Sequence, residues 1–249
     1  MKISICLPLF NRVEMLANAL DSILQQTHSD FEVVIKDGCL EKPAMASPLL
    51  RNHFKRLGPR LRYILSKDGG IFPALNEALV HSTGEILYFM CSDDELADST
   101  VLEAVNAEFG GNQPRDTPYW LYGQTQNIDR FGNDLDVCGL YTTLNEMLIC
   151  NQIGQPSVFW NRPMFRSVGF FNYKHAGDYD YWLRCWRIQE PKYMPRVLGK
   201  FRKWPEQSTE QHIEEVECEA GEIAAKHIDE IERQEDEKKA AREKEQAKK

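Results

Sequence analysis

The stretch Gly84-Glu85-Ile86-Leu87-Tyr88-Phe89-Met90-Cys91-Ser92-Asp93-Asp94-Glu95 decides how the rest of this 249-residue chain is read. Ile86 to Cys91 is an unbroken apolar and aromatic run, the pattern of a strand covered on both faces. Gly84 punctuates its start, and adjacent carboxylates end it. A strand that stops this way delivers Asp93 and Asp94 to the carboxyl edge of an open α/β sheet, where such folds bind ligands. Carboxylates there can hold a divalent cation, and the cation can hold a diphosphate. The plainer alternative is a turn whose aspartate caps the next helix, and the stretch alone does not separate the two.

Upstream the same pattern recurs. Ile3, Ile5 and Leu7 predict a strand ended by Pro8, and Asn11-Arg12 leads into an amphipathic helix with Met15, Leu16, Ala19, Leu20, Ile23 and Leu24 on one face. Residues 31–35 predict a second strand running into Asp37-Gly38. The interval 42–58 reads as helical in its second half. Residues 61–65 predict a third strand, followed by Lys67-Asp68-Gly69-Gly70. A helix from near Pro73 to about His81 precedes the strand over 85–91. Such alternation argues for parallel strands with crossover helices. Parallel packing then gathers Asn11, Asp37-Gly38, Asp68-Gly69 and Asp93-Asp94 at one edge, which a lone acidic turn would not do.

Downstream the pattern changes. Ser99 is expected to cap a helix through Phe109, with a glycine- and proline-containing loop after it. Trp120 to Asn127 and Leu135 to Leu140 predict a hairpin around residues 129–133, and Gln155 to Trp160 a strand. A helix with Pro163 in its first turn closes at Gly169. Gly177-Asp178-Tyr179-Asp180 opens an apolar helix whose Trp182 and Trp186, spaced i, i+4, read as core. This half is expected to add antiparallel strands and the second wall of a cleft. In the tail, Ile213, Val216, Ala220, Ile223, Ala224, Ile228 and Ile231 predict a helix to about residue 231. Through residues 208–231 it would dock on the body or pair with another copy. Beyond it only charged residues, Gln and Ala remain, a solvated extension or a frayed end. The chain thus divides into a body, 1–205, and a tail, 206–249.

Composition excludes several classes. The net charge is −8, but residues 206–249 carry −7 of it, so the body is nearly neutral and has no nucleic-acid footprint. No apolar run approaches the roughly 20 residues a bilayer span needs. The first residues are too short a run, and too strand-like, for a signal peptide. The seven cysteines, odd in number and without C-x-x-C spacing, read as free thiols of a reducing cytoplasm. G-x-G-x-x-G, G-x-x-x-x-G-K-[ST] and G-x-S-x-G do not occur.

Taken in order, the motifs resemble family 2 glycosyltransferases. Ser4 to Arg12, Ser22 to Thr27 and Phe31 to Gly38 are similar to that family's opening, and Lys67-Asp68-Gly69-Gly70-Ile71 with Ala74 and Asn76 to its next segment. Ser82-Thr83-Gly84-Glu85 leading to Ser92-Asp93-Asp94 resembles the family's acidic D-x-D element. Gln155-Pro156-Ser157, Phe170 and Gly177-Asp178-Tyr179-Asp180 resemble its acceptor-side half. The likeness covers roughly residues 3–204. It departs after Asp37-Gly38, where Cys39-Leu40-Glu41 replaces a serine and a further acid, and at Phe72-Pro73, where many relatives have Tyr-Asp.

The resemblance implies a GT-A fold, a Rossmann-like mixed α/β sheet with flanking helices, here with a charged helical tail. It implies transfer of a sugar, with inversion, from a nucleotide diphosphate donor (a UDP-sugar is expected) to a glycan or lipid-linked acceptor in polysaccharide assembly. Mg²⁺ or Mn²⁺ would assist, and the enzyme would be cytoplasmic with peripheral contact at the inner membrane face. Carried over by position, Pro8 and Phe10 line the base and ribose pocket and Asp37 meets the pyrimidine. Lys67 and Asp68 lie against base or ribose, Asp93 against ribose, Asp94 on the metal, and Asp178 is the catalytic base. Asp180 is the rival base, and His175 and His212 could approach the site. Read structurally instead, Asp37 and Asp68 only end strands and Asp178 only caps a helix. A non-catalytic saccharide-binding module and a metal-dependent phosphohydrolase are the alternative functions.

Overall fold

The protein is described here by a computed structural model covering residues 1–111 and 116–246. Its first half runs β1 (Ile3–Leu9), α1 (Val13–Leu24), β2 (Phe31–Asp37), α2 (Arg51–Leu57), β3 (Leu61–Leu65), α3 (Ile71–His81) and β4 (Ile86–Phe89). β3, β2, β1 and β4 lie side by side in that order, and every pairing among them is parallel. The reason is apolar density. Every residue of β1, β2 and β4 is buried, which only a sheet covered by helices on both faces permits. β1 continues through Pro8 to Leu9 rather than ending at Pro8. β4 pairs with β1 only as far as Cys6 opposite Phe89, so Pro8 faces no β4 partner that needs its missing N–H.

The second half adds β5 (Glu95–Leu96), α4 (Val101–Phe109), β6 (Trp120–Ile128), β7 (Asp134–Cys138), α5 (Leu144–Met147), β8 (Val158–Asn161), α6 (Arg162–Val168), α7 (Gly177–Ile188), β9 (Lys192–Arg202), α8 (Ser208–Gln211) and α9 (Ile213–Gln246). β8 joins β4 antiparallel, β6 joins β8 antiparallel, and β9 lies parallel to β6 with β5 beyond it. The expected hairpin is β6–β7, while residues 155–157 form a 3₁₀ turn and only 158–161 the strand. Thr100, not Ser99, stands at the N-cap of α4. The loop expected after Phe109 falls partly on residues 112–115, outside the described residues. Nothing in the sequence pattern announces β9. Its Pro195 and Gly199 break a strand signature, and the ladder with β6 slips where Met194 gives way to Val197, a bulge that takes up Pro195 and Arg196.

Two apolar layers sandwich the sheet. One packs α1, α2 and α4 on it; the other packs α3 and α7 over an aromatic cluster of Trp120, Trp160, Phe171, Tyr181 and Trp182. The two tryptophans at 182 and 186 are buried, as their spacing suggested. α9 lies on α7 through Ala220, Ile223 and Ala224 and continues past Ile231 to Gln246, because Glu, Lys, Arg, Gln and Ala all favour helix even when solvated. Among the described residues no helix is long and apolar enough to cross a membrane.

Gly199 shows how tightly β9 is seated. A Cβ there would lie 1.9 Å from the Pro156 carbonyl oxygen, which is backbone and cannot swing aside. Gly199→Ala is therefore expected to lower stability by about 1–3 kcal/mol, the usual cost of overpacking, read as a fall in the urea midpoint at unchanged m-value.

Candidate active site

The strand order reverses between β1 and β4, and this switch point is where open α/β sheets bind ligands. A cavity of about 450 Å³ lies there. The end of β1 supplies Pro8, Leu9 and Phe10, and Arg12 follows. The start of α3 supplies Asp68, Gly70, Ile71 and Ala74. Cys91, Ser92 and Asp93 come from the end of β4, and Phe201, Gln207 and Thr209 form the remaining wall. Of the residues expected from the sequence, Pro8, Phe10, Asp68 and Asp93 thus line the cavity.

Asp37, Lys67, Asp94 and Asp178 are not among its lining residues. The Asp37 carboxylate is buried and engaged by its own surroundings. Oδ1 accepts from Cys39 N at 2.8 Å, and Oδ2 accepts from Ala44 N at 2.8 Å and from the Tyr63 hydroxyl. Burial, together with this acceptor, raises the Tyr63 pKa above its ordinary value. Lys67 is exposed. The buried cation behind the cavity is Lys36, whose ammonium donates to Ser66 O at 2.6 Å and lies 3.4 Å from Asp68 and 3.6 Å from Glu77. β-strand alternation would have flagged it as an inward lysine on a fully buried strand.

Asp94 lies behind Asp93, 1% exposed. Its Oδ1 accepts from Arg202 N at 3.2 Å, while Oδ2, also buried, has no hydrogen-bond partner among the described residues. Burial first, then the Asp93 carboxylate, pushes its pKa well above the usual carboxylate range. A buried carboxylate oxygen without a partner is costly, and a divalent cation would satisfy it. Among the described residues no three His, Cys, Asp or Glu side chains converge as a metal cage. Hard cations such as Mg²⁺ are commonly held by one or two carboxylates and completed by phosphate oxygens and water. Asp94 and Asp93 fit that pattern. The rings of His175 and His212 pair with each other at 5.2 Å.

Arg202, the last residue of β9, was not apparent from the sequence. Its guanidinium is 1% exposed and donates to Asp93 O at 3.0 Å, to Asp129 O at 3.1 Å, to Arg130 O at 3.2 Å and to the Glu95 carboxylate. It thereby clamps the acidic turn from behind. Trp204 Nε1 donates to Asp93 Oδ2 at 3.0 Å, and Arg12 covers the Trp204 ring at 4.5 Å with Nη1 3.7 Å from the same carboxylate oxygen.

Asp178 is the second residue of α7. Part of its surface meets solvent, yet the protein packed around the carboxyl drives its pKa up to about 6, opposed only in part by the Tyr179 backbone N–H. Cys91 registers where it sits. Burial, then Asp94, Asp93 and Asp178 in that order, raise the thiol pKa, so one cavity-lining side chain feels all three acids. Asp180 is different. Its Oδ2 accepts from Arg184 Nε at 2.7 Å and its Oδ1 pairs with His227 at 3.2 Å, under the tail helix and 1% exposed. Its pKa is held low by those partners against the cost of burial.

A cavity at the switch point of a parallel sheet, walled by a second half and edged with carboxylates, defines an α/β protein that takes its ligand at strand ends. The family model described as Glycosyl transferase family 2 matches residues 4–165. A PGL/p-HBAD biosynthesis glycosyltransferase from Mycobacterium bovis (strain BCG / Pasteur 1173P2) is 32% identical over 206 residues, 81% of this chain and 77% of that relative. An uncharacterized glycosyltransferase from Rickettsia felis is 26% identical, over 84% of this chain and 35% of its own length. Among solved structures, S. aureus TarS 1–349 in complex with UDP superposes with a TM-score of 0.66 at 18% identity, over 92% of this chain and 65% of that one. The mannosyltransferase PcManGT from Pyrobaculum calidifontis, in complex with GDP-Man and Mn²⁺, gives 0.56 at 18% identity, over 80% and 56%. Against a longer TarS structure, this chain spans 37% of the length. The chain belongs to glycosyl transferase family 2, and its fold is of the GT-A type.

The raised pKa of Asp178 has a stability consequence. The folded state favours the neutral carboxyl, so ionisation costs stability as pH rises through about 6 and costs nothing below the unfolded value near 3.8. Asp178→Asn should therefore stabilise the protein at pH 7 by about 1–3 kcal/mol, discounted for its partial exposure, and by little at pH 3.5. Urea denaturation at the two pH values measures this.

Proposed function

We propose that this glycosyltransferase moves a hexosyl group, with inversion, from a UDP-sugar to the hydroxyl of a glycan or lipid-linked acceptor. The observation that carries the reading is the buried, unpartnered Oδ2 of Asp94 behind a cavity edged by Asp93 and Asp68. TarS in complex with UDP-GlcNAc, at a TM-score of 0.64, and PcManGT with GDP-Man and Mn²⁺ support a nucleotide-sugar donor and a divalent cation for this chain.

In this reading Pro8 and Phe10 bound the nucleoside, while Asp93 and Asp68 receive the ribose and its neighbouring atoms. Asp94, with Asp93 beside it, would hold Mg²⁺ or Mn²⁺, which would supply charge neutralisation for the departing diphosphate. Arg12, with its buried Nη1 lacking a hydrogen-bond partner among the described residues, adds a positive group at the cavity wall. Asp178 takes the proton of the acceptor hydroxyl as that oxygen bonds to the anomeric carbon and the bond to the diphosphate breaks. The proton remains on the Asp178 carboxylate, and a single displacement inverts the anomeric centre. Asp180 is engaged by Arg184 and His227 and serves as a strut.

Calorimetric titration of UDP and of GDP, with and without Mn²⁺, tests the donor half. UDP should bind more tightly with Mn²⁺, and Asp94→Asn should remove at least about tenfold of that gain. Equal affinity with and without the cation, for either nucleotide, would sink the proposal. For the base, Asp178→Asn should leave UDP affinity within about twofold while turnover falls ~10²-fold or more. The rate supported by the unaltered chain should fall as pH drops through about 6, since only the ionised carboxylate accepts a proton. A flat profile from pH 5 to 8 would contradict the assignment.

A further inference from the structure

The tail helix α9 touches α7 at three points in step. Glu219 reaches the turn before α7, His227 pairs with Asp180, and Glu230 pairs with Arg187. Ile223, fully buried between the first two points, fixes the spacing. Both sets advance along their helices in the same direction, so the two helices lie side by side with their starts together. The start of α7 is where Asp178 stands.

The contact made by Glu219 is the unusual one. Its Oε1 accepts from Lys174 N at 3.1 Å, and its Oε2 accepts from His175 N and Ala176 N, both at 2.6 Å. Lys174 and His175 lie before the helix and Ala176 is its N-cap, so the helix's own i→i−4 bonds reach none of these three N–H groups. Here the N-cap is Ala176, with no side-chain cap bond of its own. A single carboxylate from 43 residues further on takes three in a row. On its other side the turn is pinned by Gly177, where a Cβ would lie 2.8 Å from the Phe72 ring. The backbone leading to Asp178 is thus gripped between Phe72 and Glu219.

We infer that Glu219 is a positioning residue for Asp178, which makes the tail helix part of the catalytic apparatus rather than an appendage. The inference rests on the reading of Asp178 as the base. A base must meet the acceptor hydroxyl at about 3 Å, and a misplacement of about 1 Å can cost up to ~10²-fold in rate. Releasing the turn 174–176 lets the carboxyl of Asp178 wander, while the cavity residues from β1, β4 and the start of α3 take no part in the bonds of Glu219.

The test uses the full chain with Glu219→Ala and Glu219→Gln, the second keeping an acceptor oxygen of the same reach. Three readouts are taken: amide hydrogen exchange over residues 172–181, affinity for UDP with Mn²⁺, and UDP release from UDP-glucose, UDP-galactose and UDP-N-acetylglucosamine with water as acceptor. Glu219→Ala should speed exchange of amides 174–176 about tenfold or more and lower kcat for UDP release about tenfold, with UDP affinity within twofold. Glu219→Gln should recover most of both losses. A simple structural prop would lower nucleotide affinity and kcat together, and that result overturns the inference. So does unchanged exchange, or faster exchange with unchanged kcat. Asp178→Asn, run alongside, separates the two claims. If it releases UDP at the full rate, the base assignment falls and the inference with it; if it is inactive while Glu219→Ala is fully active, only the tether is wrong.

Discussion

The buried guanidinium of Arg202 is the constraint on which the site depends. It is the last residue of the last strand, yet its hydrogen bonds go to the acidic turn after β4 and to the hairpin loop between β6 and β7. One cation thereby sits among Asp93, Asp94 and Glu95, three acids that would otherwise repel one another. Removing one partner of such a buried arrangement typically costs about 3–5 kcal/mol, because the charges left behind stay out of water. The two halves of the sheet are joined here by chemistry as well as by the β4–β8 ladder. Arg202 engages Oδ1 of Asp94 through its own backbone N–H and leaves Oδ2 free. The clamped oxygen and the unpartnered one belong to the same carboxylate.

The second half is held by aromatic packing. Trp182 stacks on Trp120 at 5.9 Å and Phe171 on Tyr181 at 3.9 Å, both beneath α7. Trp182 Nε1 is buried without a hydrogen-bond partner among the described residues, a cost that the dense apolar contact has to offset. With its body fixed this way, α7 can present Asp178 at its first turn while Asp180, two residues on, faces Arg184 and the tail. Two carboxylates so close in sequence acquire opposite titration behaviour because one is surrounded by atoms without charge partners and the other by cations.

The parallel half was legible because its signals are local. Continuous apolar runs, glycine punctuation and an amphipathic helix between strands survive in any one-dimensional reading, so β1 to β4 and the gathering of their ends followed. The candidate site was legible to the extent that residue type announces chemistry at those ends. Asp68 and Asp93, which line the cavity, were marked this way. Asp37 shows the limit: chain order places it at a strand end, and only the structure shows that Cys39, Ala44 and Tyr63 donate to it. Lys36 shows the same limit in reverse: it is the lysine that reaches Asp68, while Lys67, next to that aspartate in the chain, is exposed.

By itself, then, the sequence determined the alternating α/β layout, the acidic strand end and the family, all properties carried by neighbouring residues. Only the tertiary structure decided which donors engage which carboxylates. β9 was hidden by its proline and glycine, and its role depends on Arg202 meeting a turn 107 to 109 residues away. The different surroundings of Asp178 and Asp180 likewise depend on Glu219 and His227, on a helix whose apolar spacing left docking on the body and pairing with another copy both open. Hydrogen bonds and burial act over a few ångströms of space, and chain order does not encode which distant groups come within that range.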